Sequence, residues 1–286
     1  MTEPKIAPDP KFHRLGLLIG ADSLEALRQA RIVIFGLGGV GSWAAEALVR
    51  SGAGRLTVVD NDSVCITNIN RQIQALSGTV GLPKAAALMK RLLEINPRCE
   101  LRAFNQVFSK ETAAFFEIEK ADYVIDAIDS LGHKLDLIEL AVKAGPRFFS
   151  SMGMARKLDP TRIKTADIWE TSGCPLARLV RQGLKKRGFN GRFTAVYSDE
   201  RVDNAEDVES VCGTAACFCP DRNTEWCSSK KAINGSSVTV TAAAGMVLAS
   251  LVLRDVVSRN GSRERSATAA EKTPATAPAK RPAGAL

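Results

Sequence analysis

The sequence predicts an α/β fold, a doubly wound and mostly parallel sheet with a Rossmann-like nucleotide site and a C-terminal extension. Three observations carry this. Short β-branched runs alternate with helix-forming segments through the first 150 residues. A glycine cluster, Gly36-Leu37-Gly38-Gly39-Val40-Gly41, separates the first such run from a helix. An aspartate, Asp60, closes the next run.

Residues 22–28 read as a helix, with Ser23 as its cap and Leu24, Ala26 and Leu27 as its apolar side. Residues 31–35 are a buried-type strand, 42–50 an alanine-rich helix, and 55–60 a second strand. Residues 83–95 form a helix with Pro83 at its first turn and Leu88, Leu92 and Ile95 on one stripe. Strands are expected at 101–107, 122–127 and 147–151, with a helix at 134–143. The alternation weakens after about residue 155. Residues 175–186 still read as a helix, apolar along Leu176, Leu179, Val180 and Leu184 and basic along Arg178, Arg181, Lys185 and Lys186. Residues 199–209 are acidic and loop-like. Residues 238–257 form an Ala/Val/Leu-rich buried helix, too interrupted by small residues and by Arg254 and Asp255 to suit a membrane. The implied organisation is a Rossmann-like region at 1–155, a substrate-binding part of the same domain at 156–257, and a basic tail at 258–286.

The chain has 286 residues, of which 45% are hydrophobic and 24% charged, a balance that excludes a wholly disordered chain. The net charge is +8, and residues 258–286 supply half of it with six basic residues against two acidic ones. That segment is rich in Ala, Pro, Thr and Ser and is expected to be disordered. The remaining body is mildly basic, which permits a nucleic-acid partner without demanding one. Seven cysteines, an odd number in a chain this long, do not read as a disulfide framework. The polar, proline-rich start lacks a secretory pattern, so a cytoplasmic home is expected.

Gly36, Gly38 and Gly41 form a Gly-x-Gly-x-x-Gly between strand and helix, where backbone N–H groups and the helix dipole receive phosphate. Asp60 lies 19 residues beyond Gly41, where its carboxylate accepts from ribose hydroxyls. Downstream come Asp60-Asn61-Asp62, Asn68-Ile69-Asn70-Arg71-Gln72, Gly81-Leu82-Pro83-Lys84 and Asp126-Ala127-Ile128-Asp129-Ser130. Strand ends in a parallel sheet converge on one carboxyl edge, so Arg71 and Lys84 bring two cations to the phosphates. A dinucleotide needs fewer, and ATP is favoured over NAD. Asp129, with Asp126 or Asp62, is placed to hold Mg²⁺ with phosphate oxygens.

These motifs resemble the adenylating superfamily that includes ubiquitin-activating enzymes and the adenylyltransferases of sulfur-carrier proteins, over residues 12–151. The resemblance implies that Asp60 holds ribose, that Arg71 and Lys84 contact phosphates, that Asn68 lies beside the nucleotide with Gln72 next to it, and that Asp129 supports the metal. Gly39 belongs to the same loop. Arg14 matches an arginine that reaches a partner subunit's ATP site, which implies a homodimer. Within the superfamily, residues 41–48, 64–73 and 126–130, with Leu158-Asp159-Pro160-Thr161-Arg162-Ile163, are most similar to the tRNA threonylcarbamoyladenosine dehydratases. That likeness implies ATP-dependent cyclisation of a modified base beside the tRNA anticodon. Adenylation replaces a poor leaving group with AMP, and the substrate's own carbamoyl nitrogen then closes the ring. Positioning and charge stabilisation suffice for this.

Cys212, Cys217, Cys219 and Cys227 form C-x4-C-x-C-x7-C, a candidate zinc set. The spacing lacks the two C-x-x-C pairs typical of zinc-bearing sulfur-carrier adenylyltransferases, so free thiols in a loop are favoured. A catalytic thiol at Cys174, Cys212 or Cys217, served by a sulfur-donor or sulfur-carrier protein, stays open. Arg178, Arg181, Lys185, Lys186, Arg187 and Arg192, with Phe189 and Phe193 between them, suggest a tRNA-backbone face and equally a solubilising one. Substrate-binding charges are sought among Arg156, Lys157 and Arg162. An adenylyltransferase for a protein tail ending in Gly-Gly, and an NAD-binding oxidoreductase or regulatory nucleotide module, remain as rivals.

Overall fold

The computed structural model describes residues 9–203 and 234–271, with side chains to 261. Its centre is a seven-stranded sheet in the order β3-β2-β1-β4-β5-β7-β6. The strands are β1 Arg31–Phe35, β2 Arg55–Val59, β3 Glu100–Phe104, β4 Tyr123–Asp126, β5 Arg147–Ser151, β6 Ile163–Asp167 and β7 Thr194–Ser198. Six run parallel, and β6 pairs antiparallel with β7 at one edge. The strand order reverses between β1 and β4, which opens the crevice where such sheets bind ligands.

The helices are α1 His13–Ile19, α2 Ala21–Gln29, α3 Gly41–Arg50, α4 Lys84–Ile95, α5 Leu131–Ala144, α6 Pro175–Lys186 and α7 Val238–Glu271. Side chains alternate across β1, so the sheet is covered on both faces. Ile32 and Ile34 join the core under α3, α4 and α7, whereas Val33 and Phe35 face α5 and α6. The second face is aromatic near the crevice. Phe35 meets Phe108 and Phe116 edge to face, at 5.1 and 5.2 Å between centroids.

The elements expected before residue 151 fall within a few residues of their sequence-based positions; α1 is not among those expected, and three further departures are instructive. Ser23 is not a cap: α2 starts at Ala21 behind Gly20, and Ser23 lies buried inside it. β6 and β7 carry no strong alternation because neither is an isolated period-two run; β6 keeps three half-exposed and two exposed positions as an edge strand. Third, α7 continues to Glu271, across the first half of the segment expected to be disordered. No proline interrupts residues 258–271, and extending an existing helix avoids the cost of nucleating one.

Residues 238–261 are long and apolar enough to cross a membrane by length and composition. Packing explains the stripe instead: Val240, Ala244, Leu248, Val252 and Val256 are buried in the core beside α3. Their i, i+4 spacing is that of a core helix. The cysteines at 212, 217, 219 and 227 lie outside the described residues.

Candidate nucleotide-binding site

The turn from β1 into α3 is built around two close approaches. Gly36 has φ +87°, and a Cβ there would stand 2.6 Å from the Ala127 carbonyl. A Cβ on Gly41 would meet the Gly36 carbonyl at 1.9 Å. Only glycine lets these backbones pass. Gly38 by contrast has nothing within 4 Å of that position, so its surface faces open space. Gly39 is backed by Thr241 of α7 and by the Arg71 side chain.

Leu37 is the residue between the first two glycines, and both of its backbone groups are held. Its N–H donates to Asp60 Oδ2 at 2.6 Å. Its carbonyl accepts from Gln74 Nε2 at 2.8 Å. Asp60 also accepts the Asp62 N–H at 2.8 Å. Burial pushes the Asp60 carboxyl up and the Asp62 charge adds to this, while Lys84 opposes it. Gln74 is buried, and nothing in the sequence signalled its role.

Lys84 opens α4, and its Nζ lies 2.6 Å from Asp62 Oδ2. Its backbone N–H donates to the Asp62 carbonyl at 2.9 Å, beside the Ser63–Pro83 bridge. Burial disfavours the Lys84 ammonium, but Asp60, Asp62 and Asp129 outweigh it and hold its pKa above the usual lysine value. Lys84 is therefore charged at neutral pH.

Arg71 closes a tight turn after Ile66–Asn68. Buried Asn68 accepts the Cys65 N–H at 3.1 Å, and Trp43 Nε1 donates to the Arg71 carbonyl at 2.9 Å. The guanidinium donates to the Thr67 carbonyl and to Asn70 Oδ1, each at 2.9 Å. Burial pulls its pKa down, and the charges of Asp129 and Cys65 oppose that. Gln72 is buried beside Gln74. Asp129 stands exposed beyond β4, near enough to act electrostatically on both Arg71 and Lys84. Hydrogen bonds thus tie the glycine loop to Asp60, Asp60 to Asp62 and Asp62 to Lys84, while Arg71 lies against Gly39 with Asp129 close by and Asn68 braces the turn before it.

Asp126 does not join them. It is fully buried, ion-paired to Lys134 Nζ at 2.7 Å, and accepts from Ser150 Oγ and the Ile128 N–H. The sequence grouped it with the nucleotide ligands; the structure makes it a strut beneath the site. Lys134 was missed, although it shares the Ile138–Ala141 stripe of α5 and so signals a buried cation.

Arg14 is exposed on α1. The preceding Phe12 packs against Gly52, just past the C-terminal end of α3, whereas the glycine loop precedes its N-terminus. The structure does not bring Arg14 to its own chain's loop. Cys174 is buried at the start of α6, its Sγ 4.0 Å from the Gly153 carbonyl, which removes it as an exposed nucleophile. The basic helix is also partly committed. Arg187 pairs with Asp136 and Glu139, Arg192 pairs with Asp167 and Glu170, and Arg181 donates to the Thr171 hydroxyl. Phe193 meets Phe148 edge to face and Phe189 lies tilted beside Trp169, so these rings pack in or against the core rather than await bases. Arg178, Lys185 and Lys186 stay on the exposed face.

The topology and the crevice define a Rossmann-like nucleotide-binding protein whose cations suit a polyphosphate, the architecture of adenylating enzymes. The model of the ThiF family matches residues 12–274, and the chain belongs to that family. It is 44% identical to the tRNA threonylcarbamoyladenosine dehydratase of Bacillus subtilis over 204 residues, 71% of this chain and 80% of that one. It is 35% identical to the Haemophilus influenzae dehydratase, over 88% and 95% of the two chains. The Escherichia coli tRNA N6-threonylcarbamoyladenosine dehydratase, solved in complex with ATP, superposes with a TM-score of 0.74 at 32% identity, covering 88% of this chain and 95% of its own. Matches to sulfur-carrier and molybdopterin-synthase adenylyltransferases cover less than half of this chain.

Proposed function

We propose that this chain is an ATP-dependent tRNA-modifying enzyme that adenylates the carboxylate of threonylcarbamoyladenosine and closes it into a ring, a net dehydration. The observation that carries the reading is that Arg71 lies against Gly39 of the glycine loop and Lys84 pairs with Asp62 beside Asp60, whose carboxylate holds the Leu37 N–H of that loop, in a chain similar over 88% of its length to a dehydratase. The loop amides and α3 receive phosphate, Asp60 takes the ribose hydroxyls, and Lys84 and Arg71 neutralise the polyphosphate. The substrate carboxylate attacks the α-phosphorus and pyrophosphate leaves. The adenylate's carbonyl is then attacked by the substrate's own carbamoyl group, and AMP leaves. The chain supplies positioning and charge, with no protein nucleophile.

Magnesium fits at Asp129. Asp129, exposed and close to Arg71 and Lys84, would hold the ion together with phosphate oxygens, whereas Asp126 is sealed against Lys134. The ion would neutralise charge on the leaving pyrophosphate. Arg14 would serve the site of a second subunit in a homodimer, and the enzyme would work on tRNA in the cytoplasm. Mass spectrometry of anticodon-loop nucleosides tests the function: the purified protein with ATP converts threonylcarbamoyladenosine to a product lighter by one water. Pyrophosphate release that depends on a Gly-Gly protein tail, with the nucleoside unchanged, would overturn it.

A further inference from the structure

Three cations lie just beyond β5, and their surroundings distinguish them. Lys157 is buried, donating to the Glu200 carbonyl. Arg162 shares the Asp199 carboxylate with Lys164. Arg156 pairs only weakly placed charge: its Nη2 lies 3.0 Å from Asp203, whose side chain is 100% exposed. An ion pair with so hydrated a partner is readily exchanged for another oxyanion.

The Arg156 backbone is left-handed, with φ +58°, a conformation that favours glycine. It is held there from both sides. Its N–H donates to the Gly235 carbonyl at 2.8 Å, and its carbonyl accepts from Val202 at 3.3 Å. The next residue after Gly235, about 3.8 Å further along the chain, connects to the nucleotide site: Asn70 Nδ2 donates to the Ser236 carbonyl at 2.9 Å. Asn70 in turn accepts from the Arg71 guanidinium at 2.9 Å. A strained arginine is thereby fixed to the same short strand of chain that orients the phosphate-binding Arg71. Strain retained where surrounding bonds over-determine it marks a functional position.

We propose that Arg156 is a substrate-positioning residue whose guanidinium receives an oxyanion of the RNA substrate, at the rim of the adenylation site. This rests on the function proposed above. The oxyanion belongs either to the carboxylate that is adenylated or to a neighbouring backbone phosphate, both of which a guanidinium fork can bind in bidentate fashion. A planar fork would also make lysine an imperfect substitute.

The test uses the full chain with Arg156→Gly and Arg156→Lys. Glycine fits φ +58° without strain, so removing the side chain keeps the fold and raises the melting midpoint by about 2 °C. For tRNA carrying threonylcarbamoyladenosine, Arg156→Gly raises KM about tenfold or more, the loss expected of a charge-assisted hydrogen bond, and leaves KM for ATP unchanged. Arg156→Lys recovers part of the loss. If the same tRNA lacking the modification also binds more weakly to Arg156→Gly, the oxyanion is a backbone phosphate; if only the modified tRNA does, it is the carboxylate. An unchanged KM for tRNA in a functioning Arg156→Gly enzyme overturns the assignment alone. A wild-type protein that neither binds this tRNA nor releases pyrophosphate with it removes the proposed function and this residue's role together.

Discussion

Lys134 and Asp126 meet at 2.7 Å with neither side chain reaching solvent, directly beneath the crevice between β1 and β4. Lys134 also donates to the Ile128 carbonyl at 2.9 Å, so one buried cation fixes both the end of β4 and the turn that leads to Asp129. The pair is a support for the site rather than a part of it.

Breaking that pair from one side leaves an uncompensated buried carboxylate. Lys134→Met is expected to lose about 3–5 kcal/mol of stability, read by urea unfolding. The double variant Lys134→Met with Asp126→Asn should recover much of it, because no charge is then buried. A single variant as stable as wild type would show that Asp126 is not buried and ionised.

Lys84→Ala and Arg71→Ala each remove a cation that the proposed function sets against the polyphosphate. Turnover should fall by about 10²–10³, the cost of losing one preorganised charge-stabilising group, while tRNA affinity changes little. Pyrophosphate release and a filter-binding isotherm measure the two separately. Equal loss in both would contradict the roles assigned to these side chains.

The glycine loop offers a paired comparison. Gly41→Ala would drive a methyl into the Gly36 carbonyl, 1.9 Å away, and should destabilise the protein while abolishing ATP binding. Gly38→Ala meets nothing within 4 Å and should keep wild-type stability, yet weaken ATP where backbone and phosphate approach closely. Thermal melts with and without ATP distinguish the two outcomes. A Gly41→Ala protein with normal stability would refute the close approach.

Far from this loop, Tyr123 donates to Asp255 of α7 at 2.9 Å. Burial, then the Asp255 carboxylate, pushes its pKa up from 10.0 to about 12. The folded state holds the phenolic proton more tightly than the unfolded chain does. This contribution is therefore complete below pH 10 and lost as pH rises from 10 toward 12. Tyr123→Phe should lower stability at neutral pH and flatten the alkaline loss over that interval, as followed by circular dichroism. An unaltered alkaline profile in the variant would rule out this linkage.

Much of the architecture is legible in the residues because local rules and tertiary demands agree over 31–151. The apolar run of β1 and the alanine-rich α3 flank Gly36 and Gly41, where a side chain would collide with backbone, so strand, turn and helix follow from composition and spacing. Period-two and period-3.6 patterns are weaker in β6 and β7, where an edge strand and its neighbour are shaped by pairing. The mistaken cap at Ser23 and the helical extension beyond Val257 have the same origin. Capping signals and low complexity are local, while a helix end is set by what precedes it and packs on it.

The sequence by itself determined the parallel sheet, the glycine turn and the cations that suit a polyphosphate, since each depends on residue type at fixed short spacing. Only the tertiary structure decided which charges face the crevice. Asp126 and Asp129 are three residues apart and chemically identical, yet one is sealed against Lys134 and the other is exposed near Arg71 and Lys84. Arg156, Lys157 and Arg162 divide in the same way: Lys157 is buried, whereas Arg156 and Arg162 pair at the surface with Asp203 and Asp199. Ligand and strut differ by burial and partner, and both are supplied by segments distant along the chain.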